Sequence, residues 1–352
     1  MGIGKSTLAD VQLNHSDSFY YAGEKVTGII SFHNHHRKLT LNNVSFGFIG
    51  EVGYTGQKTR HSRDSMGNIQ EETRTGQQQF SFINIHIQFT HSKDNEDKMI
   101  LEHGHNSWPF EFSLPQNLPP SSGSLTGSYP YIKYYVFINT DRTWFKSIKA
   151  QTFPLIIFPN VNIFNINEGR QSTAVYNRND LYVKACLTPQ SILPGEKISL
   201  DIDIKNHKQL KIKEIEAKLI QQREIDRNHH AEVIFKVDLP FSQDFKETEF
   251  HENFDLDMPS GHLPPTYDYM ASCSDLTIQT SIFYEIKLQV KVHDWPNEIN
   301  LIIPIIVGTE SRAEQCQSRK SSYARKSISY TAVVKEMDAS PVHESGVEDL
   351  KF

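Results

Sequence analysis

Residues 21–34 read YAGEKVTGIISFHN, and residues 193–206 read LPGEKISLDIDIKN. The two stretches align without a gap, because Gly-Glu-Lys and the final asparagine fall at the same places in both. In each, Gly23 or Gly195 lies in a turn, and an alternating run of apolar residues follows it. Self-similarity of this kind predicts that one structural module occurs twice in the chain.

A second pair of matching stretches supports the duplication. Residues 114–121 read LPQNLPPS, and residues 258–266 read MPSGHLPPT. Each follows an aromatic, strand-like run and precedes an apolar one. Because proline cannot donate to a strand ladder, each diproline predicts a crossover that joins two strands of the same module.

Alternation of apolar and polar residues predicts the type of module. It is clearest in residues 198–205 and 284–292, where every second residue is apolar. Such strands have one buried and one solvated face, as in a sandwich. Residues 211–220 (KIKEIEAKLI) fit either a short helix or a strand with a bulge, and the alternation around Ile212 favours the strand. The predicted fold class is all-β, with two tandem immunoglobulin-like β-sandwich domains and a disordered C-terminal tail.

The repeat and the composition of the chain suggest domain boundaries. Two polar stretches, 55–79 and 91–106, are expected to be long loops of the first domain. The tail is expected to be disordered because it has no apolar period, a basic cluster and then an acidic one. The expected divisions are a first domain over 1–158, a linker over 159–180, a second domain over 181–308 and a tail over 309–352.

Composition excludes several classes of function. The 352 residues contain 36 Lys and Arg against 42 Asp and Glu, so a broad nucleic-acid surface is not expected. Three cysteines, Cys186, Cys273 and Cys316, are too few for a disulfide framework and indicate a reducing compartment. With no signal peptide and no long apolar run, the sequence predicts a cytoplasmic protein without a transmembrane segment.

No constellation of catalytic residues stands out, so we expect neither an enzyme nor a bound cofactor or metal. There is no Gly-x-Ser-x-Gly motif, and Cys186 and Cys273 have the alternating neighbours of small buried residues. The histidine clusters 33–36, 103–105 and 229–230 fall in predicted turns and loops, where solvated side chains are the expectation and a zinc site is the alternative.

These stretches together resemble the arrestin superfamily, and specifically the α-arrestins, or arrestin domain-containing proteins, over roughly residues 6–308. The resemblance is carried by the segments 21–28, 108–112, 118–121, 132–136, 194–197 and 263–266. It implies two arrestin-type domains placed end to end. It also implies an adaptor that binds membrane-protein cargo for endocytosis, ubiquitin-linked sorting and protein transport, with recruitment to the plasma membrane or endosomes. The alternative is a structural subunit of an endosomal sorting complex, similar to the arrestin-like component of retromer.

In many α-arrestins, PPxY motifs in the tail recruit WW-domain ubiquitin ligases, but residues 309–352 contain none. A formal PPxY does occur at Pro264, Pro265 and Tyr267, and a WW domain reads such motifs in polyproline II conformation. The repeat aligns this diproline with Pro119 and Pro120, which no tyrosine follows. A structural crossover is therefore the favoured interpretation, and a WW ligand is the alternative.

Two further candidate sites concern covalent modification. The N-terminus Met-Gly-Ile-Gly-Lys-Ser fits the N-myristoylation pattern, with Gly2 as acceptor, and a single acyl chain gives marginal membrane binding. In the tail, Ser321, Ser322 and Ser327 lie among Arg and Lys residues, which suits phosphorylation by basophilic kinases or contact with anionic lipids. The plain alternatives are an ordinary N-terminus and a solvated tail.

Overall fold

In a computed structural model of the chain, the described residues are 9–63, 69–87, 98–122, 130–142, 145–164, 171–178, 181–240, 248–273, 276–293 and 298–311. Their regular elements are all strands, which confirms the all-β prediction. The strands are β1 (Ala9–Leu13), β2 (Phe19–Tyr21), β3 (Lys25–Arg63), β4 (Ile69–Ile87), β5 (Lys98–Ser113), β6 (Tyr131–Arg142), β7 (Phe145–Phe158), β8 (Ser172–Arg178), β9 (Leu181–Thr188), β10 (Ser191–Ile192), β11 (Lys197–Asn206), β12 (Ile212–Ile225), β13 (Asn228–Asp238), β14 (Glu249–Asp257), β15 (Tyr267–Cys273), β16 (Leu276–Val292) and β17 (Ile299–Val307).

The first sandwich is organised by β3, which takes part in both of its layers. The beginning of β3 pairs with β1 and β5, and its later part pairs with β4 and β6. The register with β5 shifts between Asn34 and Lys38, and such irregularities bend a strand. The order β1-β3-β6-β7-β2 completes the sheet, which has seven strands once β4 and β5 are added.

Aromatic residues fill the core of the first sandwich. The rings of Phe46 and Phe110 are 4.8 Å apart, and those of Phe48 and Phe112 are 5.4 Å apart. All four side chains are buried. Burying a large apolar side chain contributes roughly 1.5–3 kcal/mol, so this aromatic content explains how a phenylalanine-rich sequence stabilises the layer contact.

In the described part of the chain, the second sandwich consists of a six-stranded and a four-stranded sheet. The first has the order β10-β17-β16-β12-β13, with β15 also on β16, and the second has the order β14-β11-β9-β8. The alternating run in β11 places Ile198, Leu200, Ile202 and Ile204 in the core, each at most 1% exposed. These residues face the apolar face of β16, as the alternation predicted.

Residues 211–220 form a strand with bulges, as predicted. Strand β12 shifts register with β16 between Ile212 and Glu214, and with β13 between Leu219 and Ile220. The second shift places its extra residue, Ile234, on β13, so it leaves the alternation of β12 unchanged. The first shift has its extra residue, Lys213, on β12 and moves the inward positions from Ile212 to Ile215 and every second residue after it. These inward positions include the polar residues Gln221 and Arg223, which are both buried.

The described parts of two stretches expected to be loops, residues 55–63, 69–79 and 98–106, are strands, so that prediction was wrong there. The β3–β4 ladder continues through Thr55↔Gln77 to Arg63↔Ile69, and β5 pairs with β3 from residue 98 onward. The sequence misled because these ladders include segments that are polar at nearly every position. Backbone hydrogen bonds hold a ladder together without an apolar face, so the alternation signal is lost.

Part of the expected linker is also a strand. β8 lies at the edge of the four-stranded sheet and pairs with β9 from Ser172↔Leu187 to Arg178↔Leu181. Earlier in the stretch, Val161 N–H donates to Thr309 Oγ1 (2.7 Å), and Thr309 N–H donates to Val161 O (2.9 Å). These bonds tie the start of the connection to the end of β17. Of the tail, residues 312–352 lie outside the described residues.

Candidate functional site

Each sandwich contains the same buried tyrosine contact to its diproline crossover. Tyr134 Oη donates to Pro119 O at 2.6 Å, and Tyr284 Oη donates to Pro264 O at 2.6 Å. Both tyrosines are 1% exposed. Burial raises the pKa of both hydroxyls, so both remain protonated donors at any physiological pH. We call these two bonds the tyrosine–diproline contacts.

The glycine turns repeat with equal fidelity. Gly23 has φ +85° and Gly195 has φ +84°, a left-handed conformation that favours glycine. In each turn the following glutamate, Glu24 or Glu196, accepts a side-chain hydrogen bond from the backbone N–H three residues earlier, at 2.8 and 2.9 Å. The duplicated sequence therefore encodes duplicated hydrogen bonds.

The formal PPxY motif is part of the second sandwich. Pro265 is buried, and the Pro264 carbonyl accepts the bond from Tyr284. Tyr267 begins β15, where it pairs with Ile282 of β16, and its side chain is half-buried. The structure thus brings the three motif residues together in a crossover and the strand that follows it.

An apolar contact joins the two sandwiches, which belong to one compact unit over Met1–Ala313. Ile225 at the end of β12 is 1% exposed, Ile278 in β16 is 3% exposed, and both pack within the core of the first sandwich. Beside them, Asn228 Nδ2 donates to Thr55 O at 2.7 Å, and Thr55 N–H donates to Asn228 Oδ1 at 3.1 Å. We call these four residues the domain interface.

A buried arginine lies next to the domain interface. The Arg223 side chain is 1% exposed, and its Nη2 is 3.5 Å from Glu232 Oε2. Burial lowers the pKa of the guanidinium, and the Glu232 charge opposes that effect. A narrow cleft there is lined by Arg223, Tyr267 and Thr280 of the second sandwich and by Ser122 of the first. No nitrogen of Arg223 makes a hydrogen bond with a described residue, so this part of the contact is polar but incompletely paired.

An aromatic contact joins the sandwiches at another point. The imidazole of His262 stacks on the Phe19 ring, with centroids 4.3 Å apart and an interplanar angle of 20°. Burial lowers the pKa of His262, and the charge of Asp17 acts in the opposite direction. The neutral imidazole is therefore the form that the folded chain favours.

Three carboxylates on the second sandwich approach one another closely enough to be tested as a metal site. One oxygen each from Glu214, Glu216 and Asp238 lies within 4.8 Å of the others. Lysine ammonium groups already contact them: Lys218 and Lys236 ion-pair with the buried Glu216. Burial opposes ionisation of Glu216, but hydrogen bonds from both lysines outweigh it and lower the pKa. The arrangement is a charge network balanced by protein cations.

The described histidines of the three clusters lie in strands, so the prediction that they occupy turns and loops was wrong. His33 and His35 are in β3, and their rings are 4.4 Å apart on an exposed surface. The members at 103–105 and 229–230 are in β5 and β13. The carboxylate group described above contains none of these histidines. Cys186 is buried, as predicted.

The candidate modification sites Gly2, Ser321, Ser322 and Ser327 lie outside the described residues. Sequence reasoning also missed the domain interface, including Ile225 and Asn228. The signal in the sequence was the polar residue Arg223 at an inward position of an otherwise alternating strand, and the bulge at Lys213 hid that phase. Within the described residues, no helix has the length and hydropathy that a membrane crossing requires.

Comparison with known proteins matches both halves of the chain. The family model for "Arrestin (or S-antigen), N-terminal domain" matches residues 9–163, and the one for "Arrestin (or S-antigen), C-terminal domain" matches residues 177–312. The chain is also 24% identical over 329 residues to "Arrestin domain-containing protein 17" of Caenorhabditis elegans, covering 87% of this chain and 71% of that protein. Two sandwiches in this order, with both family models matched across most of the chain, show that the chain belongs to the arrestin superfamily.

Proposed function

We propose that this protein is a non-catalytic adaptor that binds cytoplasmic segments of membrane proteins and directs them to endocytosis and sorting. The observation that carries the proposal is the match of both arrestin domains, in order, across most of the chain. Members of this family act as adaptors. This role requires a stable scaffold for binding. The buried tyrosine–diproline contacts support it, because they stabilise the fold at matching positions in both sandwiches.

The domain interface supports the same proposal. Ile225 and Ile278 of the second sandwich are buried in the core of the first, so the two sandwiches present their surfaces in a defined relation. A partner that contacts both sandwiches then binds without first having to order them, which lowers the entropic cost of association. Cytoplasmic location, with recruitment to the plasma membrane or endosomes, belongs to this proposal.

We infer that any link to a ubiquitin ligase does not pass through Pro264, Pro265 and Tyr267. A WW domain binds both prolines and the tyrosine on an aromatic groove, which requires them to be accessible. Pro265 is buried, and Tyr267 is held in β15. Ligase recruitment through this motif would require the second sandwich to open locally.

Proximity labelling in cells tests the proposal. The wild-type chain is expected to label membrane proteins with cytoplasmic tails, and Gly2→Ala reports any contribution of acylation. Tyr267→Ala serves as the ligase test, and Ile225→Asp as a control that disrupts the domain interface. Labelling of no membrane protein by the wild-type chain would contradict the adaptor function. Migration of the native protein in a fixed stoichiometric complex would favour the structural sorting subunit instead.

A further inference from the structure

Among the described strands, none pairs with the outer side of β14, so this strand presents an open hydrogen-bonding edge. It ends the four-stranded sheet and pairs with β11 in unbroken register, from Lys197↔Asp257 to Lys205↔Glu249. Two bonds at the ends of this ladder show which residues of β14 bond to β11: Met258 N–H donates to Glu196 O (2.9 Å), and Asn206 N–H donates to Thr248 O (2.8 Å). Since bonding alternates along an antiparallel pair, residues 249, 251, 253, 255 and 257 direct their N–H and C=O groups away from β11.

The side chains of this edge carry negative charge. β14 contains Glu249, Glu252, Asp255 and Asp257 and no lysine or arginine. Lys197 approaches Asp257 at 3.6 Å, but both side chains are more than half exposed, so this pair compensates little. The other three carboxylates form no ion pair with a described residue. A strand that approaches this edge therefore meets a surplus of negative charge.

The neighbouring strand extends the acidic surface. On β11, Asp201 and Asp203 lie opposite Asn253 and His251 of β14. Asn253 Nδ2 donates to Asp201 Oδ1 (2.5 Å) and to Ser199 Oγ (2.6 Å). His251 Nδ1 lies 2.5 Å from Asp203 Oδ1, and this contact raises the pKa of His251, so Asp203 is partly balanced. Asp201 accepts a bond from the neutral Asn253 amide, so its charge adds to the field at the edge.

The opposite face of β14 is mostly apolar and is interrupted by the exposed Glu252. Leu256 is buried, and Phe254 is half-buried against the core of the second sandwich. Side chains of an added strand would alternate in the same way, with one set over the carboxylates and the other beside Phe254. The edge thus fits a segment in which Lys or Arg alternates with aliphatic residues.

We propose that β14 binds, by strand addition, an extended segment of a membrane protein's cytoplasmic juxtamembrane region, in which basic and aliphatic residues alternate. This inference rests on the proposed adaptor function. Cytoplasmic segments close to a membrane span are enriched in Lys and Arg, which supplies the complementary charge. Strand addition gives affinity through main-chain bonds and specificity through alternate side chains.

Charges on an edge strand also have a protective role, because they discourage pairing with another sheet. That role alone would predict no binding of an extended basic segment. β14 contains no proline, its nine residues form an unbroken ladder, and its outward backbone groups lie beside Phe254 and Leu256. These features favour a docking edge, and a binding measurement separates the two roles.

The test uses the full chain and a fluorescein-labelled nine-residue peptide, SKVKVKVKS, in fluorescence polarisation. Asn253→Pro removes one outward N–H and places a ring on the open edge without changing the charge, a substitution that edge strands tolerate. Asn253→Ala is the matched control, because it removes the same side-chain bonds and keeps the N–H. The pair Glu249→Gln and Asp255→Asn removes two charges and keeps the backbone. Thermal melting checks that each variant folds.

We expect saturable binding, no more than a twofold change for Asn253→Ala and at least a tenfold loss for Asn253→Pro. Removing the two charges should weaken binding about 3- to 10-fold, and added salt should weaken it further. Absence of binding, equal affinity of the two Asn253 variants, or equal binding of a peptide with its lysines and valines in separate blocks would overturn the assignment. If Asn253→Pro still labels membrane proteins in cells as the wild type does, the edge assignment fails while the adaptor function stands.

Discussion

Replacing Tyr284 with phenylalanine should destabilise the second sandwich more than the same change at Tyr134 destabilises the first. Tyr284 Oη donates to Pro264 O (2.6 Å) and also accepts from Gln221 Nε2 at 2.7 Å. Tyr134 Oη bonds to Pro119 O alone among the described residues. Tyr284→Phe therefore leaves two polar groups without a partner, whereas Tyr134→Phe leaves one.

The expected magnitudes follow from this count. Leaving a buried polar group unsatisfied costs about 1–3 kcal/mol, and the phenyl ring keeps the apolar packing. We expect a loss of about 1–2 kcal/mol for Tyr134→Phe and about 2–4 kcal/mol for Tyr284→Phe. In domains of this size, each kcal/mol lowers the melting temperature by roughly 2–4 °C.

Differential scanning calorimetry of the two variants measures the difference. The matched control is Gln221→Leu in the Tyr284→Phe background, because it removes the amide that the first change orphans and should recover part of the lost stability. Equal melting shifts at the two tyrosines would refute the reasoning. So would a further loss of stability in the double variant, since that would show the Gln221 amide to be satisfied without the hydroxyl.

Three other predictions concern stability. Ile202→Asp should abolish the folding transition of the second sandwich, since Ile202 is fully buried and an unpaired core charge costs more than about 4 kcal/mol; an unchanged calorimetric transition would contradict the assigned buried face. Gly195→Ala and Gly23→Ala should each cost about 1 kcal/mol in urea unfolding, because both positions need φ near +85°, and an added Cβ would lie 3.4 Å from its nearest neighbouring atom at each. Very different costs would argue against equivalent turns. The pKa of His262 is lowered in the folded chain, so folding favours its neutral form. The stability that depends on this neutral form is complete above the usual pKa near 6.5 and is lost as the pH falls below it. The melting temperature should therefore fall less between pH 7.5 and 5.5 in His262→Gln than in the wild type, and parallel profiles would contradict this.

The sequence predicted the repeated parts of the fold because the same residues recur where the same backbone geometry recurs. Gly23 and Gly195 share a positive φ, and the first proline of each diproline accepts a hydrogen bond from a tyrosine hydroxyl at its carbonyl oxygen. Alternation predicted β11 and β16 for the same reason, since one face of each is buried. The extended β3–β4 ladder escaped prediction because its pairing is made by backbone groups, which every residue type except proline supplies.

The same limit explains why the possible binding surfaces were missed. Neither an open edge nor a domain interface has a sequence period of its own. Apart from Glu252, β14 alternates as β11 does, and the two strands differ mainly in what lies beside them. Ile225 resembles any other core isoleucine, although the core it enters belongs to the other sandwich. The repeat therefore determines how each sandwich folds, while the features by which it meets a neighbour lie in the residues that differ between the two copies. In an adaptor, we expect the residues that differ between the two copies to determine which partners bind. The acidic residues at the edge of β14 belong to this set.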